Sequence, residues 1–286
     1  MQRTGRSTFI VSLPKRWADK NGLKAGKPVA ISENEDGTLV LSLDAPKDFN
    51  AQIDADHPFA VRKLVSAYIA GAKTLSLKGK NASRVAESAR QLLAAVDVIE
   101  EKGGTVVLRV FATGNEFSLH TLLSRMHAVC LALFDLAGRA NNEEVADAIA
   151  SREREMDRLY ILALRSSGFE RSPTPSRFGA LVAKAVENIA DNVGQYALEK
   201  PRFGKAALTK VRSLYEKAMG QYLTAGTDLD VERAFTHLSR DLDAVRIKSA
   251  LEWARLEAAA KACVEIEEVT EDVRAMTQSH QKGENA

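Results

Sequence analysis

The chain is poor in the residues that mark several functional classes. It has two cysteines in 286 residues, Cys130 and Cys263, and no Cys-x-x-Cys. Two thiols cannot form a zinc site alone, and they exclude a disulfide framework. Both sit in helical-looking runs, which predicts buried, reduced thiols and a cytoplasmic setting. Aromatic residues make up only 6%, and alanine is abundant, so helix is favoured over sheet. No run approaches the roughly 20 apolar residues of a membrane span, and the polar, basic start lacks the apolar core of a signal peptide. No membrane insertion is expected. HExxH, P-loop, GxSxG and dinucleotide fingerprints are missing, as is any nucleophile–base pair, so no enzyme is expected. The five histidines are scattered and none completes the Glu-x-x-His of a di-iron helix pair.

Charge is present, and it is uneven. Residues 1–27 hold Arg3, Arg6, Lys15, Arg16, Lys20, Lys24 and Lys27 against one acid, Asp19. The whole chain is +2, so the remainder nets −4. Positive charge gathered on one small lobe is the footprint of a phosphate-backbone binder. The same lobe alternates like strands at Phe9–Leu13, Val29–Ile31 and Leu39–Leu41. A short helix follows Pro14, and turns are marked by Gly22, Gly26 and Asp36-Gly37. About 45 residues without a disulfide cannot bury a core alone, which predicts an intertwined dimer.

The order Gly5-Arg6-Ser7-Thr8-Phe9-Ile10-Val11-Ser12-Leu13-Pro14-Lys15, then Gly22-Leu23, Gly26 and Asp36-Gly37, resembles the AbrB/SpoVT/MazE family of swapped-hairpin DNA-binding domains. The resemblance implies a small barrel shared by two protomers, with Arg3, Arg6, Lys15 and Arg16 facing duplex DNA.

Residues 44–57 read as a polar linker. Residues 58–111 read as helix–strand–helix–strand, with Ser83 capping a helix that runs to about Glu101 and is stopped by Gly103-Gly104. Beyond Ser118, helical periodicity dominates, with breaks at Gly138, at Gly168 to Pro175 and at Pro201. Residues 227–282 contain neither glycine nor proline, and predict one very long helix or two with a polar joint. The last ten residues read as disordered. The expected fold is α+β: a swapped-hairpin domain at 1–45, a mixed segment at 58–111 and an antiparallel helical bundle at 118–278.

Two acidic pairs stand at i, i+4, Glu153 with Asp157 and Glu187 with Asp191. This spacing puts both carboxylates on one helix face, where they repel unless a cation bridges them. Hard cations take several oxygen ligands, so the pairs are a candidate site for a divalent or iron-type metal. Spacing alone is a weak signal, and a solvated charged face is the plain alternative. Glu143-Glu144-Val145-Ala146-Asp147, Glu153, Asp157-Arg158-Leu159-Tyr160, Arg165, Ala183-Lys184, Glu187 and Asp191 resemble the PhoU phosphate-regulator family. That family carries E/DxxxD motifs on adjacent helices and binds metal in some members. The resemblance spans about residues 118–275. Residues 58–111 lack the motif, so one acidic cluster is expected, and the acids from Glu265 to Asp272 read as surface charge. The combined resemblance implies a cytoplasmic, homodimeric DNA-binding regulator of phosphate homeostasis, with a phosphate transporter or signalling kinase as partner. The rival is a signalling adaptor whose N-terminal lobe is only a dimerisation clasp.

Overall fold

The computed structural model describes residues 2–4, 8–27, 29–33, 39–42, 49–111, 117–139, 143–169, 173–224 and 231–284. The chain divides into two compact units, Met1–Asp48 and Phe49–Ala286.

In the first unit, β1 (Gln2–Thr4) pairs antiparallel with β2 (Thr8–Ile10), setting Arg3 opposite Phe9. The short helix α1 (Lys15–Lys20) follows, then β3 (Ala30–Glu33) pairs antiparallel with β4 (Leu39–Ser42). Gly22 and Gly26 take positive φ, which suits the turns between α1 and β3. Gly5-Arg6-Ser7 and the Asp36-Gly37 turn lie outside the described residues. The sequence reading missed β1 and carried the next strand on to Leu13, whereas β2 ends at Ile10. Among the described residues, one chain forms two separate two-stranded sheets rather than a closed barrel. α1 buries no residue, and Val11 and Ile31 are 64% and 63% exposed. An isolated two-stranded ribbon is marginal in water, and among the described residues these apolar side chains lack cover.

The second unit opens with β5 (Asn50–Asp54), α2 (Ala60–Ile69), β6 (Thr74–Lys78), α3 (Ala82–Leu92), β7 (Val96–Lys102) and β8 (Thr105–Val110). They form a four-stranded sheet in the order β5-β6-β8-β7, with β5 parallel to β6 and the other pairs antiparallel. Leu75, Leu77, Val106 and Leu108 fill one face of the sheet with Leu64 and Tyr68 of α2 and Val85 and Ala89 of α3.

Four expectations fail here. The supposed linker supplies β5. The α3 helix stops at Leu92, because Leu93 is extended and Ala95 takes φ +53. Residues from Val96 onward form β7, joined to β8 by Gly103-Gly104, both at positive φ. That glycine pair closes a two-residue hairpin instead of stopping a helix. Ser83 is not the cap of α3. Asp56 holds its start from 24 residues upstream, accepting from the Lys80 and Asn81 backbone N–H groups at 3.1 and 3.0 Å. These bonds keep the Asp56 carboxyl below its ordinary range. A side chain at Gly79 would collide with it.

The rest is helical: α4 (Leu119–Gly138), α5 (Glu143–Phe169), α6 (Pro173–Leu198), α7 (Lys205–Thr224), α8 (Val231–Lys248) and α9 (Ala250–Glu284). Ser118 caps α4, accepting from Thr121 N at 3.1 Å. α8 and α9 meet at Ser249, so the glycine-free run is two helices. α9 continues to Glu284, through residues whose composition predicts disorder. Leu123, Met126, Leu133, Val186, Ile189, Val211, Ala259 and Ile266 share one core. α4 has the length and mean hydropathy of a membrane span, but it carries Arg125 and Asp135, and Leu122, Met126, Val129 and Leu133 face that core. Cys130 and Cys263 are buried and free, and burial pushes the Cys130 thiol up to about 12. Glu267, read as surface charge, is buried.

Arg165 of α5 ties the helices to the sheet. Its buried guanidinium donates to the carbonyls of Tyr68 and Ala72 at the end of α2 and lies 4.6 Å from the Tyr68 ring centroid. Cations are favoured at helix C-termini. Arg165→Met leaves these carbonyls without the guanidinium and is expected to cost roughly 2–3 kcal/mol in urea unfolding. A loss under about 0.5 kcal/mol, the range of ordinary surface substitutions, would show that the clamp contributes little.

Candidate functional site

The four predicted acids lie on neighbouring helices, Glu153 and Asp157 on α5, Glu187 and Asp191 on α6. One carboxylate oxygen each from Asp157, Glu187 and Asp191 lie within 4.8 Å of one another. Glu153 stands outside this trio, one turn away. Its carboxylate lies against Gly194, where a Cβ would collide with it. Glycine inside a helix costs about 1 kcal/mol relative to alanine, so Gly194 in Asn192-Val193-Gly194-Gln195 was a readable sign of close approach. The sequence reading missed it.

The cluster is electrostatically unfavourable as it stands. Asp191 is pushed up to about 6 by partial burial, then by the charges of Glu187, Asp157 and Glu153. Asp157 is raised by partial burial and by Glu187, and Glu153 by partial burial and by Asp157. One cation is supplied internally: Lys184 pairs with Glu187 and lies 5.4 Å from the Tyr160 ring centroid. Burial alone would lower Lys184, yet its bond to Glu187 and the surrounding charges raise it. Lys184, with the field of Arg154 on Glu153, still leaves four carboxylates in net negative surplus. Such oxygen donors suit a hard cation.

Of the predicted DNA-facing residues, Lys15 and Arg16 open α1 and are exposed. Among the described residues neither makes an ion pair. Cations in a first helical turn oppose the helix dipole, so this placement does nothing for α1 itself. Arg3 is placed on β1, and Arg6 lies outside the described residues.

Residues 2–51 match the family model described as antidote-toxin recognition MazE, bacterial antitoxin. The similarity to that family is confined to these N-terminal residues. They carry the basic side chains just described, and the match ends within β5, leaving the acidic cluster outside it. No curated protein and no solved structure matches the chain.

Asp191→Asn removes one of the repelling charges. The pKa of Asp191 in the folded chain, about 6, lies above the ordinary 3.8, so the folded state binds this proton more tightly than the unfolded state. Stability therefore falls as pH rises from about 4 to about 6, and the penalty stands in full above that window. In chelator at pH 7.5 the variant is expected to melt higher than the parent, and to lose that advantage at pH 4. Solvent screening at this exposed side chain holds the gain to on the order of 2–4 °C. Calorimetry showing the same difference at both pH values would rule out the repulsion.

Proposed function

We propose that the chain is a DNA-binding regulator of phosphate homeostasis, dimeric through residues 1–45, whose helical part senses or couples. The observation that carries the DNA reading is the MazE-like match over residues 2–51, on a lobe that concentrates seven bases against one acid in residues 1–27. The uncovered Val11 and Ile31 support a second copy as the cover for that lobe. Arg3, Arg6, Lys15 and Arg16 are the phosphate contacts in this reading. The phosphate role, and a transporter or kinase as partner, rest on the resemblance of residues 118–275 to the PhoU family.

The uncovered apolar residues would equally serve an adaptor that only dimerises, and the family description points to antitoxin-like regulation as a further form. Fluorescence anisotropy with duplex DNA separates DNA binding from the clasp. Lys15→Ala and Arg16→Ala are each expected to weaken binding and to lower the salt slope by about one. A dimer by sedimentation that shows no salt-dependent DNA binding would favour the adaptor.

The helical part would use Asp157, Glu187 and Asp191, with Glu153 beside them, to hold a divalent or iron-type cation. The donor set fits: three carboxylate oxygens close together, and a surplus of negative charge that a cation would relieve. Held there, the cation would supply fixed positive charge between α5 and α6. Manganese is expected to raise the melting temperature of the parent and to do so less in Asp157→Asn/Asp191→Asn, since a ligand of the folded state stabilises it. Identical melting of the parent in manganese and in chelator would assign the acids to Lys184 and solvent.

A further inference from the structure

We propose that the cleft between α3 and α5 binds a phosphorylated small molecule of nucleotide size. The cleft has a volume of about 690 Å³, within the range of small-molecule pockets. It lies outside the MazE-like segment, on a face of α5 that adjoins the acidic trio, and the proposal is independent of the DNA reading.

Its charge is the first argument. Arg154 and Arg158 line the cleft from α5, one turn apart on the same face, where like charges repel. Both are exposed, and among the described residues neither makes an ion pair. The acid in the wall, Glu155, is already satisfied. Its Oε1 accepts from Arg125 at 2.9 Å and its Oε2 from Arg152 at 2.6 Å. Burial would raise this carboxyl, but the two guanidinium groups outweigh it and hold it below its ordinary range. From α3, Arg90 completes the wall, its guanidinium oriented by Glu87 at 3.3 Å and Asp97 at 3.1 Å. The unneutralised charge in the cleft is therefore positive and fork-shaped, the geometry that grips phosphate oxygens in pairs.

The other walls set the size of the ligand. Ala94, Leu159 and the buried Leu162 give an apolar floor, while Ser151 and Gln91 bring a hydroxyl and an amide to the rim. Inorganic phosphate would use the arginines and leave this floor empty. A mononucleotide would place its phosphate on Arg154 and Arg158 and its ring on the aliphatic floor. Glu87 and Asp97 flank Arg90 and would repel an extended polyanion, which favours a compact ligand over a nucleic-acid backbone.

Titration calorimetry on the full chain tests this with adenosine monophosphate, inorganic phosphate and adenosine as probes. The expected result is saturable binding of the monophosphate, one per chain, about tenfold or more tighter than phosphate, with no heat from adenosine. Arg154→Gln and Arg158→Gln should each weaken it about tenfold, and Arg158→Lys should recover part of the loss, because charge returns without the fork. Circular dichroism checks that these exposed substitutions leave the fold intact. No saturable binding of the monophosphate, equal binding of inorganic phosphate, or unchanged binding in Arg154→Gln/Arg158→Gln would overturn the proposal.

Discussion

A single buried guanidinium ties α5 to the sheet side of the second unit, while the core packing against α4 and α6 holds its other face. Arg165 reaches from that helix to the carbonyl end of α2 and stacks on Tyr68. The Tyr68 hydroxyl in turn donates to the Ala94 carbonyl at 3.0 Å, beyond the end of α3. One chain of contacts thus joins α5, α2 and the turn into β7. Burying a cation is costly unless its donors are used, so the arrangement tolerates little sliding. The clamp sets α5 along its own axis, and that register decides which residues meet α6 and which meet α3.

The helical part shows a similar device at its far end. Glu252, buried on α9, accepts from the backbone N–H groups of Arg202, Phe203 and Gly204 at 3.1, 3.1 and 2.8 Å. These are the donors left open ahead of α7, where negative charge is favoured. The Tyr215 hydroxyl lies 3.0 Å from Nδ1 of the part-buried His127, beside the Phe134 ring, which gives two polar groups a partner at the edge of the core. Arg165 and Glu252 thus do the same work, each a buried charged side chain that reaches from one helix to the backbone of another element.

Much of this was legible in the sequence wherever the signal was local. The start of helical periodicity at Ser118, the helix break near Gly168 and the same-face spacing of Glu153 with Asp157 follow from residues a few positions apart. Four acids were expected together from the two i, i+4 pairs, and the structure brings three of them, Asp157, Glu187 and Asp191, within 4.8 Å while Glu153 stands outside. The failures share one cause. Val96–Lys102 carries enough charge to pass as a helix end, and only its pairing with β8 makes it a strand. Asp56 looks like linker until the fold brings it to α3. Arg165 stood within the quoted PhoU-like run, but nothing nearby announces the carbonyls it meets. Each of these was settled by a partner far along the chain, so tertiary context overrode local pattern.

α5 carries opposite charges on adjoining faces, Glu153 and Asp157 towards α6, Arg154 and Arg158 towards α3. The faces are not insulated, because the positive field of Arg154 already lowers the proton affinity of Glu153. Neutralising the arginine face would let the acids feel their mutual repulsion more fully and take up a proton or cation more readily. By reciprocity, filling the acid face would draw an anion to the other. Occupancy of either face of α5 would then be felt, through charge alone, at the other.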